Sequence, residues 1–407
     1  MTDHNMRELS QRRHASGFSL IEIMVGLVIG MVAIVIMLQM LSNADANKRN
    51  TAGGNDAQMN TAIALYNLER EIRMAGYGLS DSNILGCTLT YTPSDESTAI
   101  TLSAIAPVII NPPTSQVPAG DANTDTLLVM YGSDPSAAEG SALTATSTTT
   151  AYTVTSPTSF VANTTTGDRV IAAPLTRPTP PNCALTLAMV TANSATNGTG
   201  GSTLTVSNGK GSLATGSVVY NLGAEPVIKA YAIRQGVLTV CDYTRRNCGA
   251  TSYATTPDAS VWVPVANNIV GLRAQYGRDT STGATMGGSI SQWDQTNPLL
   301  ETDTGANAAS PAIHCARARI LAVRMALVGR SAAYDKKLEA DGGLGNPTWS
   351  GATAVTSGTI TNPTALTIDL SSSLGANNNS WKGYRYKALE TTIPLRNMVW
   401  RGGDNAC

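Results

Sequence analysis

The 24 residues from Phe18 to Leu41, FSLIEIMVGLVIGMVAIVIMLQML, carry only Ser19, Glu22 and Gln39 as polar side chains. As a helix rising about 1.5 Å per residue, the run is roughly 36 Å long and spans a hydrocarbon layer about 30 Å thick. A cleaved secretory signal has an apolar region of about 7 to 15 residues, so the length argues for a span even though Ala44-Asp45-Ala46 follows it. Arg7, Arg12 and Arg13 precede the run against Asp3 and Glu8, while Asp45, Lys48 and Arg49 follow it. That margin of basic residues favours a cytoplasmic N-terminus and places the rest of the chain across the membrane. Glu22 is out of place in such a segment. A carboxylate there costs up to about 2.5–3.5 kcal/mol, less near the bilayer edge, and usually marks pairing or function.

The residues around the start of the span carry a family resemblance. Arg12-Arg13-His14-Ala15-Ser16-Gly17 followed by Phe18-Ser19-Leu20-Ile21-Glu22 resembles the class III signal of type IV prepilins. The resemblance implies that a prepilin peptidase cuts after Gly17 and methylates the new amine of Phe18, leaving Glu22 as the fifth mature residue. An α-amine and a carboxylate on neighbouring helices neutralise each other in a medium where either alone is costly. The helix would then act as both anchor and assembly rod. Gly26 and Gly30 form a G-x-x-x-G that permits close helix approach, a weak signal because small residues are common in such helices. Many major pilins carry a proline where Gln39 stands; this span has none.

Beyond Leu41, Gly53-Gly54 is expected to loosen the helix, after which Ala62, Leu65, Leu68, Ile72 and Ala75 recur at spacings of three and four. They define one apolar stripe that should pack on a sheet, with Gly76 and Gly78 as stop signals. From Leu85 to Gly216 the chain reads as loop-rich, with a Thr-dominated tract at 144–159 and a Gly/Ser/Asn/Thr tract at 192–216. These tracts are read as polar loops between strands such as Thr126 to Tyr131 and Ser217 to Tyr220. Val227 to Ile233 and Val237 to Asp242 flank Gln235-Gly236 and predict a hairpin. Further strands are expected within Val265 to Gly277, Ile320 to Arg330 and Tyr384 to Asn397. The middle one places Leu321, Val323, Met325 and Leu327 on one face and Arg324 on the other.

Those last three segments, together with Leu68 to Gly78, are similar to PilW-type minor pilins. The fold this implies is α+β and pilin-like: a long N-terminal helix whose second half packs on antiparallel sheet in a large β-rich head. The expected organisation is a leader at 1–17, a membrane-spanning half-helix at 18–41, an amphipathic half at 42–79, a variable region at 80–225 and a C-terminal antiparallel region at 226–407. The implied function is that of a minor pilin that primes pilus assembly at or near the filament tip and supports adhesion or twitching motility. Its implied partners are other minor pilins, the major pilin, the prepilin peptidase and the inner-membrane assembly platform. The head would be periplasmic, then extracellular in the pilus. Two alternatives stay open: a J-type pseudopilin of a type II secretion system, and a tip adhesin or DNA-uptake receptor.

All six cysteines, Cys87, Cys183, Cys241, Cys248, Cys315 and Cys407, lie beyond the span, as disulfides in an oxidising compartment would. They allow fifteen connectivities, and the closest pair in sequence is Cys241 with Cys248. Of three histidines, His4 and His14 precede the span and only His314 follows it, which leaves little for a catalytic triad or a histidine metal site. Gly198-Thr199-Gly200-Gly201 lacks a strand–loop–helix context, and Gly209-Lys210 is followed by Gly211, so neither is a phosphate loop. Asp242, Asp279, Asp294 and Asp303 match no EF-hand spacing. No catalytic residue, metal or cofactor is expected. With a net charge of -1 and 14% charged residues, the chain has no global attraction for nucleic acid, leaving Arg245-Arg246 and Arg401 as the local candidates for phosphate contact.

Overall fold

A computed structural model describes residues 19–133, 140–156, 159–178, 182–195, 201–254, 256, 258–281, 287–298, 313–349, 366–371 and 379–399. One helix, Leu20–Met74, runs without interruption for 55 residues, as a proline-free segment allows. Contacts divide the chain into two units, Met1–Ala52 and Gly53–Cys407. The expected loosening at Gly53-Gly54 does not occur. Gly53 is buried, and a Cβ there would stand 3.3 Å from that of Ser331, so the missing side chain serves close approach.

Within the second unit, the buried stripe of the helix is Ala57, Thr61, Ala64, Leu65, Leu68, Ile72 and Ala75. Ala62, expected in that stripe, is exposed. It sits about 100° around the helix from Thr61, and Thr61 occupies the seam instead, its hydroxyl donating to the Ala57 carbonyl at 2.5 Å. The helix ends where the glycines predict. Gly76 and Gly78 adopt φ of 82° and 72°, the left-handed region that glycine enters without strain. Asn397 Nδ2 donates to the carbonyls of Met74 and Ala75 at 3.0 and 3.1 Å, satisfying acceptors that the last turn leaves open.

Three main sheets follow. The central sheet orders strands Val263–Asn267, Val237–Asp242, Val227–Arg234, Leu127–Tyr131 and Val108–Ile110, all antiparallel. It draws strands from both sides of the boundary expected at residue 225. The predicted hairpin turns at Gln235 and Gly236, both at positive φ (53° and 72°), a primed turn that matches strand twist. Asp121 accepts both of their N–H groups at 2.8 Å. Strand Leu127–Tyr131 is buried on two faces: Leu128 and Met130 face one core, Leu127 and Val129 another.

The C-terminal sheet orders Gln292–Asp294, Ile269–Arg278, Ile320–Arg330 and Tyr386–Pro394. What reads as one strand from Val265 to Gly277 is two strands in different sheets, divided at Asn268 with φ of 59°, a conformation asparagine tolerates better than most residues. Val323, Met325 and Leu327 join Leu68 and Ile72 in one core. The opposite face is covered too, because Ala326 and Val328 pack with Trp349, Ile368 and Leu370. Arg324, expected on that face, lies over the rings of Trp293 and Trp349 at 4.7 and 5.6 Å.

The region read as loops builds an eight-stranded sheet. Strand Ala151–Val154 pairs with Ser202–Ser207, and their Tyr152, Val154, Leu204 and Val206 are buried together. Strand Thr88–Tyr91 runs parallel to Ala184–Ala195, an exception to the antiparallel pairing elsewhere among the described residues. Cys87–Cys183 staples the start of that parallel pair, and Cys241–Cys248 closes a short loop. Cys315 is disulfide-bonded as well; Cys407 lies outside the described residues.

Two outcomes test this packing. A Cβ at residue 329 would overlap the Thr61 hydroxyl and stand 2.7 Å from the Ala57 carbonyl, so Gly329→Ala is expected to destabilise the chain by about 1–3 kcal/mol, read as a lowered Tm, with partial recovery when Thr61→Gly is added. Burial raises the pKa of Tyr91, Tyr231, Tyr243 and Tyr276 above the ordinary phenol value. A raised folded-state pKa means full stability below about pH 10 and loss as pH climbs above it. Equilibrium unfolding should therefore be flat toward pH 9 and weaken steeply beyond pH 10.

Candidate assembly interface

The first turn of the long helix is set by Ser19, whose carbonyl accepts the N–H groups of Glu22 and Ile23 at 3.0 and 3.2 Å. Glu22 stands in that turn, where the positive end of the helix dipole favours a carboxylate by about 0.3–1 kcal/mol. Its side chain is exposed, and among the described residues no cation pairs with it. Gly17 and Phe18 lie outside the described residues.

From Leu20 to Leu41 every side chain is exposed, and the large apolar ones leave between 47% and 77% of their surface open. Each such side chain gains about 1.5–3 kcal/mol on full burial, so a row of this length does not stand in water. Leu20–Asp45 is long and apolar enough to cross a membrane. The apolar residues surround the helix on all sides, as lipid or a bundle of like helices requires. A Cβ at Gly26 or Gly30 would meet nothing within 4 Å, so that face is open.

The sequence reading found one stripe on the second half of the helix and missed another. Met59, Ile63, Tyr66 and Met74 are 67%, 58%, 66% and 45% exposed. At about 100° per residue they cluster on the side opposite Leu68 and Ile72. The signal was present as spacings of four and three, but Ala62 and Leu65 drew attention to the other face.

The remaining sequence candidates have structural roles. Arg245 and Arg246 both reach Asp95, at 3.4 and 3.6 Å, which ties them down. Asp242 accepts from the backbone N–H and hydroxyl of Thr244. Asp279 accepts from the N–H groups of Ser281 and Gly288 at 2.9 Å, and Asp294 pairs with Arg278. Arg401 and Asp303 lie outside the described residues.

Residues 231–397 match the family model of type IV pilus-assembly protein W, and residues 12–38 match the prokaryotic N-terminal methylation motif. No curated protein matches the chain. Among solved structures, a type IV-like pilin from Thermus thermophilus is similar at 17% identity over 44% of this chain and 70% of its own, with a TM-score of 0.18; a likeness of that size carries no argument. The pilus-assembly match begins in strand Val227–Arg234 and ends at Asn397, the residue that closes the helix C-terminus, so it encompasses much of the bed on which Leu68 and Ile72 lie. With a methylation motif at the start of the apolar helix and a PilW-family region beneath its second half, the chain is similar to PilW-type type IV pilins in both segments.

Proposed function

We propose that the chain is a minor pilin that primes assembly of a type IV pilus and stays at or near the filament tip, with its β-rich head in the periplasm before export. The observation that carries this reading is the single carboxylate of Glu22 in the first turn of an otherwise apolar, fully exposed rod. A lone charge in that medium needs an opposite charge. The methylated amine of Phe18, freed by cleavage after Gly17, supplies one on a neighbouring subunit. The exposed stripe of Met59, Ile63, Tyr66 and Met74 then extends the contact surface along the outer face of the same helix. Other minor pilins and the major pilin are the partners of this surface, while the prepilin peptidase and the assembly platform act on the membrane-embedded precursor.

Intact mass and N-terminal analysis of membrane-extracted protein test the first step. A mature chain starting at methylated Phe18 supports the reading; an uncut chain, or one starting near Asn47, overturns it. Gly17→Leu should leave the precursor uncut, because the peptidase needs a small residue at that place. Glu22→Ala should be cut and inserted as usual yet fail to restore piliation in a strain lacking the protein. Wild-type piliation with Glu22→Ala would refute the charge pairing.

The outer stripe gives a separate expectation. Ile63→Ser with Tyr66→Ser should change unfolding free energy by no more than about 1 kcal/mol, since both side chains are exposed, while lowering incorporation into sheared filaments. Unchanged incorporation would confine the contact surface to the membrane half of the helix.

A further inference from the structure

Where the eight-stranded sheet meets the end of the central sheet, a cleft of about 520 Å³ opens to solvent. Its cationic groups are Arg169, Lys229 and Arg245, and its carboxylates are Glu225 and Asp242. Two of the three cations are already paired: Lys229 Nζ with Glu71 at 2.9 Å and Arg245 with Asp95 at 3.4 Å. Asp242 is occupied by Thr244. Arg169 differs. Among the described arginines that are not fully exposed, the others pair with a carboxylate, donate to a carbonyl or side-chain amide, or lie over an aromatic ring. The guanidinium of Arg169 does none of these, although it is half-buried and burial alone pulls its pKa down. A partly desolvated cation without a counter-charge is costly, and a bound anion removes that cost through a bidentate, charge-assisted pair.

The surroundings define the rest of the ligand. Thr92, Ser94, Thr165, Thr166 and Thr244 bring five hydroxyls to the walls, those of Ser94, Thr165 and Thr244 donating to Asp95, Asn163 and Asp242 and so left to a ligand as acceptors, and Tyr91 and Leu187 add apolar surface. Hydroxyls that both donate and accept fit a ligand built of hydroxyls. An acidic peptide would be better served by more cations, and here two of three are engaged. We propose that this cleft binds an acidic saccharide, a sugar chain whose carboxylate pairs with Arg169 while its hydroxyls exchange hydrogen bonds with the threonine walls. Arg169 lies outside the PilW match, while Asp242, Thr244 and Arg245 on the far wall lie within it, and occupancy of the cleft does not depend on the assembly role above.

The test is calorimetric titration of full-length protein in detergent micelles with trigalacturonate, using neutral galactotriose, hexaglutamate peptide and inorganic phosphate as comparison ligands. Saturable binding of trigalacturonate alone, weakened about tenfold or more by Arg169→Gln and little changed by Arg245→Gln, supports the site. Equal binding of phosphate or of hexaglutamate overturns the saccharide class, and no binding of trigalacturonate overturns the proposal. Thermal unfolding of unliganded Arg169→Gln supplies a second readout. An unpaired cation adds nothing to the fold, so Tm should be unchanged or higher; a fall of several degrees would make Arg169 structural and overturn the assignment.

Discussion

The seating of the helix between Gly53 and Ala75 on two sheets is the contact on which the large unit depends. Strand Ile320–Arg330 carries Gly329 as its penultimate residue at the point where the helix backbone arrives, and Thr61 turns its hydroxyl back onto the Ala57 carbonyl there. With no side chain between them, Leu68 and Ile72 reach down into the seam where Val129 and Ile233 of the central sheet meet Val323 and Met325 of the C-terminal sheet. Polar bonds then hold those two sheets in register with each other. Asp125, nearly fully buried, accepts from Arg273, the Ala274 N–H and Gln295, and the Tyr276 hydroxyl accepts the Ile110 N–H while donating to Asn297. A buried carboxylate with this many donors has its hydrogen-bonding capacity met, and it fixes the angle at which the helix bed is presented.

The same helix meets two different solvents, and the change is written in its side-chain distribution. Up to Leu41 the apolar residues encircle it; beyond Gly53 they separate into a buried stripe and an exposed one. An amphipathic helix on a soluble domain normally turns polar residues outward. Here Met59, Ile63 and Tyr66 occupy that outward face, with Arg70 among them. An exposed apolar row of this kind fits a surface that another chain covers, since it contributes nothing to the isolated head.

How much of this was legible in the sequence follows from the range of each interaction. The span, the Gly76 and Gly78 stops and the Gln235-Gly236 turn are set by neighbours a few residues away, and each was readable. The corner at Asn268 was hidden because apolar residues continue on both sides of Asn267-Asn268, and that short polar pair does not say that Val265 and Leu272 belong to different sheets. Thr-rich tracts looked like loops, although threonine favours strands and Ser202–Ser207 alternates buried and open residues. The pairing that ordered them, with Ala151–Val154 and Ala184–Ala195, joins segments some 50 residues apart or passes through a bulge, and neither is visible in a window of ten residues. The prepilin signal was readable as a motif; the unpaired state of Arg169 was not, because a missing partner is a property of three-dimensional surroundings.

Cys87–Cys183 closes a loop within the eight-stranded layer, and Cys241–Cys248 closes one at the edge of the central sheet. Cys241–Cys248 spans seven residues and removes roughly 2 kcal/mol of loop entropy from the unfolded chain, whereas Cys87–Cys183 spans 96 and removes about 4–5 in the same treatment. The longer bond sits where Thr88–Tyr91 starts its parallel run beside Ala184–Ala195. A parallel pair needs a long connection and closes late, so the bond secures the joint with the largest closure cost. Leu89, Leu185 and Ile171 then pack on Leu128, Met130 and Ile228 of the central sheet, opposite the face that carries the helix. The layer that lies outside the family match therefore rests on the back of the helix bed. Substitutions on its outer loops leave the helix seam untouched, which lets a binding surface there diversify independently of the residues that hold the rod.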